Sequence, residues 1–110
     1  MLRTPQQGDI LLINFDPQSG HEQNGERPAL VISNNDFNAQ SSVIIVCPIT
    51  STNRNYPLHV ELDATTKTQG FVMCDQVKSL DYNARRARVV EQAPVIVVRE
   101  VIDIIQAIIE

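Results

Sequence analysis

Within seven residues, His21-Glu22-Gln23-Asn24-Gly25-Glu26-Arg27, the chain sets side by side a group that titrates near neutrality, two carboxylates and a permanent cation. That set suffices for phosphoryl chemistry, which needs a base, an acid and a positive group to hold a developing oxyanion. Arg27 is the strongest single candidate, because a guanidinium grips two phosphate oxygens at once and keeps its charge throughout. The plain alternative is a solvated loop in which Arg27 answers only Glu22 or Glu26. A second polar stretch, Thr50-Ser51-Thr52-Asn53-Arg54-Asn55, follows an apolar run. The Thr50 hydroxyl could donate to a phosphate oxygen there, or cap the next turn.

Net charge is -4, the wrong sign for holding nucleic acid by bulk electrostatics. An RNA-binding reading therefore rests on a local patch. Lys78, Arg85, Arg86 and Arg88 place four of the nine basic residues within eleven positions. Few aromatic residues are present to stack bases; Phe37 and Tyr56 are the nearest candidates, and loop or core packing explains both more simply.

The elements that must carry these residues are short. Residues 8–15 form an aliphatic run ended by Asp16-Pro17 and read as a first strand. Residues 18–27 are polar, charged or glycine and read as an exposed loop, followed by a strand over 28–33. Asn34, Asn35 or Asp36 is placed to cap one short helical turn. Residues 43–49 are too continuously apolar for a half-exposed strand, so a buried strand is expected, with Pro48 marking an edge or bulge. Residues 58–62 alternate with the period of a strand having one wet face. Gly70 marks a turn before a buried strand at 71–74, and 87–90 read as the last strand.

Beyond Pro94 the pattern changes. Val98, Val101, Ile102, Ile105, Ile108 and Ile109 recur at spacings of three and four, with Arg99, Asp103, Gln106 and Glu110 between them. This predicts an amphipathic helix held by packing, since β-branched residues lower its intrinsic propensity. Five or six strands and one terminal helix indicate a mainly β fold, a small curled antiparallel sheet or barrel with the helix packed on it.

The 110 residues suit one domain spanning 1–110. No charged start followed by an apolar stretch opens the chain, and no apolar run reaches the roughly 18 residues of a spanning helix, so a cytoplasmic protein without a membrane partner is expected. Cys47 and Cys74 lie in apolar runs without metal-ligand spacing, which predicts reduced core residues and no metal site.

Gly8-Asp9, Phe15-Asp16-Pro17, Gly20-His21-Glu22-Gln23, Gly25 and Arg27-Pro28-Ala29-Leu30-Val31 together resemble the opening signature of the MazF/PemK/Kid toxins. The likeness continues through Phe37-Asn38, Pro48-Ile49-Thr50-Ser51, Gly70, Asp75-Gln76-Val77-Lys78-Ser79 and Ala84-Arg85 in the family's order, over nearly the whole chain. It implies a dimeric SH3-like barrel and a metal-independent, cofactor-free ribonuclease of a type II toxin–antitoxin system. Such an enzyme cuts single-stranded mRNA by 2′-OH attack and leaves a cyclic phosphate and a 5′-OH.

Carried over residue by residue, the resemblance makes Arg27 and Thr50 catalytic. Glu22 takes the 2′-OH proton or holds Arg27, and the sequence leaves both roles open. His21 matches a histidine that assists the site in the Kid branch, where many relatives carry serine. Gln23, Asn24, Ser51, Asp75, Gln76, Lys78 and Arg85 are implied RNA contacts. Asp75 matches a general base of the Kid branch, but the arginine that works with it two positions earlier is Met73 here. Arg27 is then left to hold the phosphate alone, with Thr50 and Asp75 expected to converge on it. The implied partners are RNA, a cognate antitoxin, a second copy of the chain and, only through the antitoxin complex, DNA. Two alternatives share the fold: a gyrase poison of the CcdB type, and a catalytically silent interaction module.

Overall fold

The computed structural model describes residues 4–14 and 26–110. Its elements are β1 (Asp9–Asn14), β2 (Glu26–Val31), α1 (Asn35–Gln40), β3 (Val43–Thr50), β4 (His59–Glu61), β5 (Phe71–Met73), a single 3-10 turn (Cys74–Gln76), β6 (Lys78–Asp81), β7 (Arg88–Gln92) and α2 (Val95–Ile109). All pairings are antiparallel. One sheet runs β7-β1-β2-β3-β6, and the last residues of β3 pair instead with β5, which pairs with β4. The mainly β architecture with a C-terminal helix is the one the sequence predicts, curled so that both faces of the central strands are covered.

That coverage explains the unbroken apolar runs. Ile10, Leu30, Cys47 and Ile49 project to one side, where Val97, Val98, Val101 and Ile105 of α2 pack on them. Leu11, Ile13, Ala29, Val31, Ile44 and Val46 project to the other, into a second cluster closed by Leu80, Tyr82 and Ala87. Alternate residues of one strand thus feed different cores, and a strand buried on both faces has no reason to alternate.

The expected short helix is present, its first turn capped by Asn34, whose Oδ1 accepts from Phe37 N at 2.8 Å. The apolar stripe of α2 is only in part core: Val98, Val101 and Ile105 are buried, whereas Ile108 and Ile109 are exposed, as are Val95 and Ile96 in the first turn. Among the described residues no helix is long and apolar enough to cross a membrane.

Several expectations need correction. Seven strands are found among the described residues, rather than five or six; β6 escaped notice because Leu80 is its one buried residue, flanked by polar neighbours. β2 begins at Glu26, so Glu26 and Arg27 belong to a strand rather than to the loop, because backbone pairing with Asn14 and Ile13 of β1 does not depend on side-chain polarity. Pro48 lies in the interior of a central strand. Ile32 N donates to Ile45 O at 2.9 Å, so the bonded pairs of β2 and β3 fall on 32/45 and 30/47, and Pro48, opposite Ala29, turns its nitrogen away from β2. It faces the point where the partner of β3 changes from β6, ending opposite Val46, to β5, beginning opposite Ile49. A residue with no N–H is tolerated where no ladder bond is due.

Both cysteines are free and buried, as predicted. Burial pushes the Cys47 thiol up to about 12, with Cys74 and Asp75 adding to it, and burial together with Asp75 and Glu100 pushes Cys74 up to about 11. Since the thiolate is the reactive form, neither should react with an aromatic disulfide reagent in the native protein at pH 8, and two thiols per chain should appear in guanidinium chloride. Rapid native labelling would contradict this packing.

Candidate functional site

The β2–β3 register creates the first part of the site. Ala29 lies opposite Pro48, so two residues further along the same face Arg27 falls opposite Thr50. Both line one shallow groove of about 320 Å³, together with Glu26, Pro28, Ser51, Thr52 and Gln69. Thr50 and Arg27 are thus brought together from two segments 23 positions apart in the chain.

Thr50 makes the turn-capping contact that the sequence offered as one alternative, and this leaves the other open. Its Oγ1 accepts from Thr52 N at 3.2 Å, which shapes the turn leaving β3. The hydroxyl keeps its own proton for donation into the groove. The strand end is also clamped from the far side by Gly70, whose φ is +133° and whose backbone lies so close that an added Cβ would sit 2.3 Å from the Thr50 carbonyl oxygen. The segment before Gly70 is pinned in turn to β7: the Glu91 carboxylate accepts from Lys67 N at 3.0 Å and Thr68 N at 2.7 Å. Burial raises the Glu91 carboxyl, but these hydrogen bonds and the charge of Lys67 outweigh it and leave it below the usual glutamate range.

Electrostatics at the groove differ from those of the chain as a whole. Glu26 faces Arg88 at 3.6 Å, with both side chains about half exposed. Such a pair adds little stability, but it brings a second guanidinium to the rim. Among the described residues lining the groove, Arg27 is the one cation, and the one carboxylate, Glu26, is answered by Arg88.

Of the other predicted residues, Ser51 lines this groove, whereas Asp75, Gln76, Lys78 and Arg85 do not. His21, Glu22, Gln23 and Asn24 lie outside the described residues. Asp75 and Gln76 sit on the exposed 3-10 turn after β5. Asp75 does not converge on Arg27 and Thr50: its Oδ1 lies 3.8 Å from Nε2 of His59. Lys78 is exposed on β6, opposite Val46. Arg85 is half-buried and donates from Nη1 to Asn14 O at 3.2 Å, while Asn14 N donates back to Arg85 O at 3.2 Å. The expected basic patch is therefore dispersed, with Arg85 committed to the end of β1 and Arg88 to Glu26.

His59 and Gln69 are the residues the sequence reading missed. The alternation of 58–62 placed His59 on a wet face, yet its side chain is only 5% exposed. The available signal was its register: His59 stands directly across from Met73, the position whose missing arginine had already drawn attention. Gln69 had no signal beyond its place before Gly70.

The groove continues beyond Ser51. Ser51 and Gln69 also line a neighbouring depression of about 380 Å³, and its Glu61 and Phe71 line a third of about 390 Å³ that ends at Tyr56 and His59. Among the described residues no group of three or more histidine, cysteine or acidic side chains is placed to hold a metal ion.

Comparison with known proteins gives the family and the overall fold. The model of a family described as PemK-like, MazF-like toxin of type II toxin–antitoxin system matches residues 6–109. The endoribonuclease toxin ChpB of Escherichia coli K12 is 40% identical over 113 aligned positions, covering 96% of this chain and 94% of that protein. The endoribonuclease PemK of Escherichia coli is 36% identical, covering 88% and 76%. Among solved structures, a MazE–MazF crystal structure from Deinococcus radiodurans superposes with a TM-score of 0.90 at 38% identity, covering 97% and 96% of the two chains.

The clamp on Thr50 yields a prediction. Gly70→Ala should cost about 1–3 kcal/mol, because a Cβ must force backbone apart at a left-handed position. Urea unfolding should show the lower midpoint at an unchanged slope, and an unaltered midpoint would count against the close approach.

Proposed function

Since the chain belongs to the PemK-like, MazF-like family of type II toxin–antitoxin toxins, we propose that it is an endoribonuclease that cuts single-stranded mRNA by internal attack of a ribose 2′-OH, without a metal. The observation that carries this reading is the meeting of Arg27 and Thr50 in one groove, where Arg88 answers the Glu26 carboxylate beside Arg27.

In the proposed reaction the 2′-oxygen forms a bond to the adjacent phosphorus as the bond to the 5′-oxygen breaks, giving a cyclic phosphate and a 5′-OH. Negative charge gathers on the two non-bridging oxygens. The Arg27 guanidinium can hold both, and the Thr50 hydroxyl can donate to one of them. Glu22 or His21 takes the 2′-OH proton and returns one to the leaving oxygen, on the resemblance already described. Gln23, Asn24, Ser51, Gln76 and Lys78 contact the RNA. Arg85 serves by holding Asn14, the last described residue before the segment that contains His21 and Glu22.

The protein works in the cytoplasm, where mRNA is found, and a cognate antitoxin silences it by covering the groove; DNA is met only through that complex. The solved relatives bound to MazE support the antitoxin partner. Val95, Ile96, Ile108 and Ile109 are exposed on α2, and Val89 and Val90 on the edge strand β7, which supports assembly of two copies.

Purified protein incubated in EDTA with end-labelled single-stranded RNA should release fragments ending in cyclic phosphate and 5′-OH. Intact RNA would sink the nuclease reading, and cleavage that disappears in EDTA would sink the metal-free route. Arg27→Ala should cut the rate by roughly 10²-fold or more, the usual loss for a transition-state charge partner; near-normal cleavage would remove Arg27 from the site. Light scattering at micromolar concentration should give twice the chain mass, and a monomer there would refute the dimer.

A further inference from the structure

The cleavage chemistry makes no use of the far end of the groove, where three side chains are fixed on one another. His59 is buried, with its Nε2 3.8 Å from Asp75 Oδ1 and its Nδ1 enclosed without a hydrogen-bond partner among the described residues. Its ring meets that of Tyr56 edge to face, with centroids 5.1 Å apart and planes at 90°. The backbone repeats the link, since His59 N donates to Tyr56 O at 2.9 Å and Cys74 N to Leu58 O at 3.1 Å, tying this turn to the one that carries Asp75. Tyr56 itself is 41% exposed and lines the depression of about 390 Å³.

The imidazole offers little surface to a substrate, and its enclosed Nδ1 has no hydrogen bond among the described residues to offset the cost of burial. What the arrangement achieves is a rigid aromatic ring at the end of a groove whose other end is built for phosphate. Beside that ring stand Asn53 and Asn55. The Asn53 Oδ1 is engaged by Asn55 N at 2.9 Å, which leaves its amide N–H groups to donate. A flat π-surface flanked by amide donors, continuous with a phosphate-holding site, fits an unstacked nucleobase.

We propose that this end of the groove is a nucleobase subsite, with Tyr56 as the stacking platform, Asn53 and Asn55 reading the base edge, and His59 and Asp75 as positioning residues that lock the platform. The ligand is a base of the single-stranded RNA, flanking the phosphate held by Arg27; the proposal rests on the nuclease reading. Asp75 then acts through His59 and not as the general base.

The test pairs cleavage kinetics with binding of an uncleavable oligodeoxynucleotide. The chain has no tryptophan and two tyrosines, of which Tyr82 is buried, so the part of tyrosine emission that a ligand can quench by contact is that of Tyr56. The oligodeoxynucleotide should quench that emission saturably in the parent protein and not in Tyr56→Ala. In RNA cleavage Tyr56→Ala should raise KM about tenfold, the scale of one lost base–aromatic stack, with the loss falling on KM rather than on kcat. Tyr56→Phe should recover most of the affinity. His59→Ala, or His59→Gln if the alanine variant does not fold, should reproduce the KM defect, and combination with Tyr56→Ala should add nothing. An unmoved KM in Tyr56→Ala, or a His59 variant defective only in kcat, would overturn the subsite while leaving the nuclease reading intact. Quenching without any cleavage by the parent protein would sink the nuclease reading and support the subsite. A Tyr56→Ala protein with normal KM that resists its antitoxin would assign the ring to a protein partner and overturn the proposal.

Discussion

β3 has to satisfy three partners with two edges. Along one edge it pairs with β2; along the other it pairs first with β6 and then with β5. The handover falls at Pro48, the residue with no N–H to leave unbonded, and it requires the segment arriving at β5 to press against the end of β3 without a side chain between them. Gly70 meets that need by approaching the carbonyl of Thr50 closer than any Cβ permits. Once β3 changes partner there, its last residue is held from both sides. Thr50 faces Arg27 through β2 and is braced by Gly70 through β5. The adjacency of the two candidate catalytic residues is therefore a consequence of strand pairing, and it needs no direct bond between them.

The same handover sets up the rest of the body. Because β3 is enclosed along its length, its alternate residues supply two clusters, one under α2 and one inside the curl of the sheet. Arg27 lies on the face of Ala29 and Val31, so the site caps the end of the second cluster and takes its rigidity from it. The 3-10 turn after β5 carries Asp75 beneath β4, where the buried His59 meets it. The groove of Arg27 and Thr50 and the cluster of Tyr56, His59 and Asp75 thus lie at opposite ends of one run of strand ends, β2, β3, β5 and β4.

What was legible in the sequence follows from what each signal measures. The helix, the buried strands and the meeting of Arg27 with Thr50 were readable, because apolar period reports burial and motif order reports topology. β6 was not, since one buried leucine among polar neighbours carries no period, and its pairing to β3 is made by backbone atoms alone. Arg27 was assigned to a loop for the same reason: polarity describes the side chain, whereas the ladder to Ile13 uses the main chain. The basic cluster of 78–88 looked like a surface patch because sequence proximity ignores direction, and the structure turns Arg85 inward to Asn14 O and Arg88 across to Glu26. His59 hid behind its own alternation, which distinguishes the two faces of a strand but not whether the polar face is covered.

The replacement of an arginine by Met73 then takes on a different meaning. Asp75 keeps a basic neighbour, supplied from the strand across: His59 occupies the register position opposite Met73 and reaches the carboxylate from there. A guanidinium at position 73 would bring a permanent charge and five donors toward the groove, whereas an enclosed imidazole brings neither to solvent. Among the described residues, the candidate for holding phosphate is then Arg27, freed for that role because Arg88 answers the neighbouring Glu26 carboxylate.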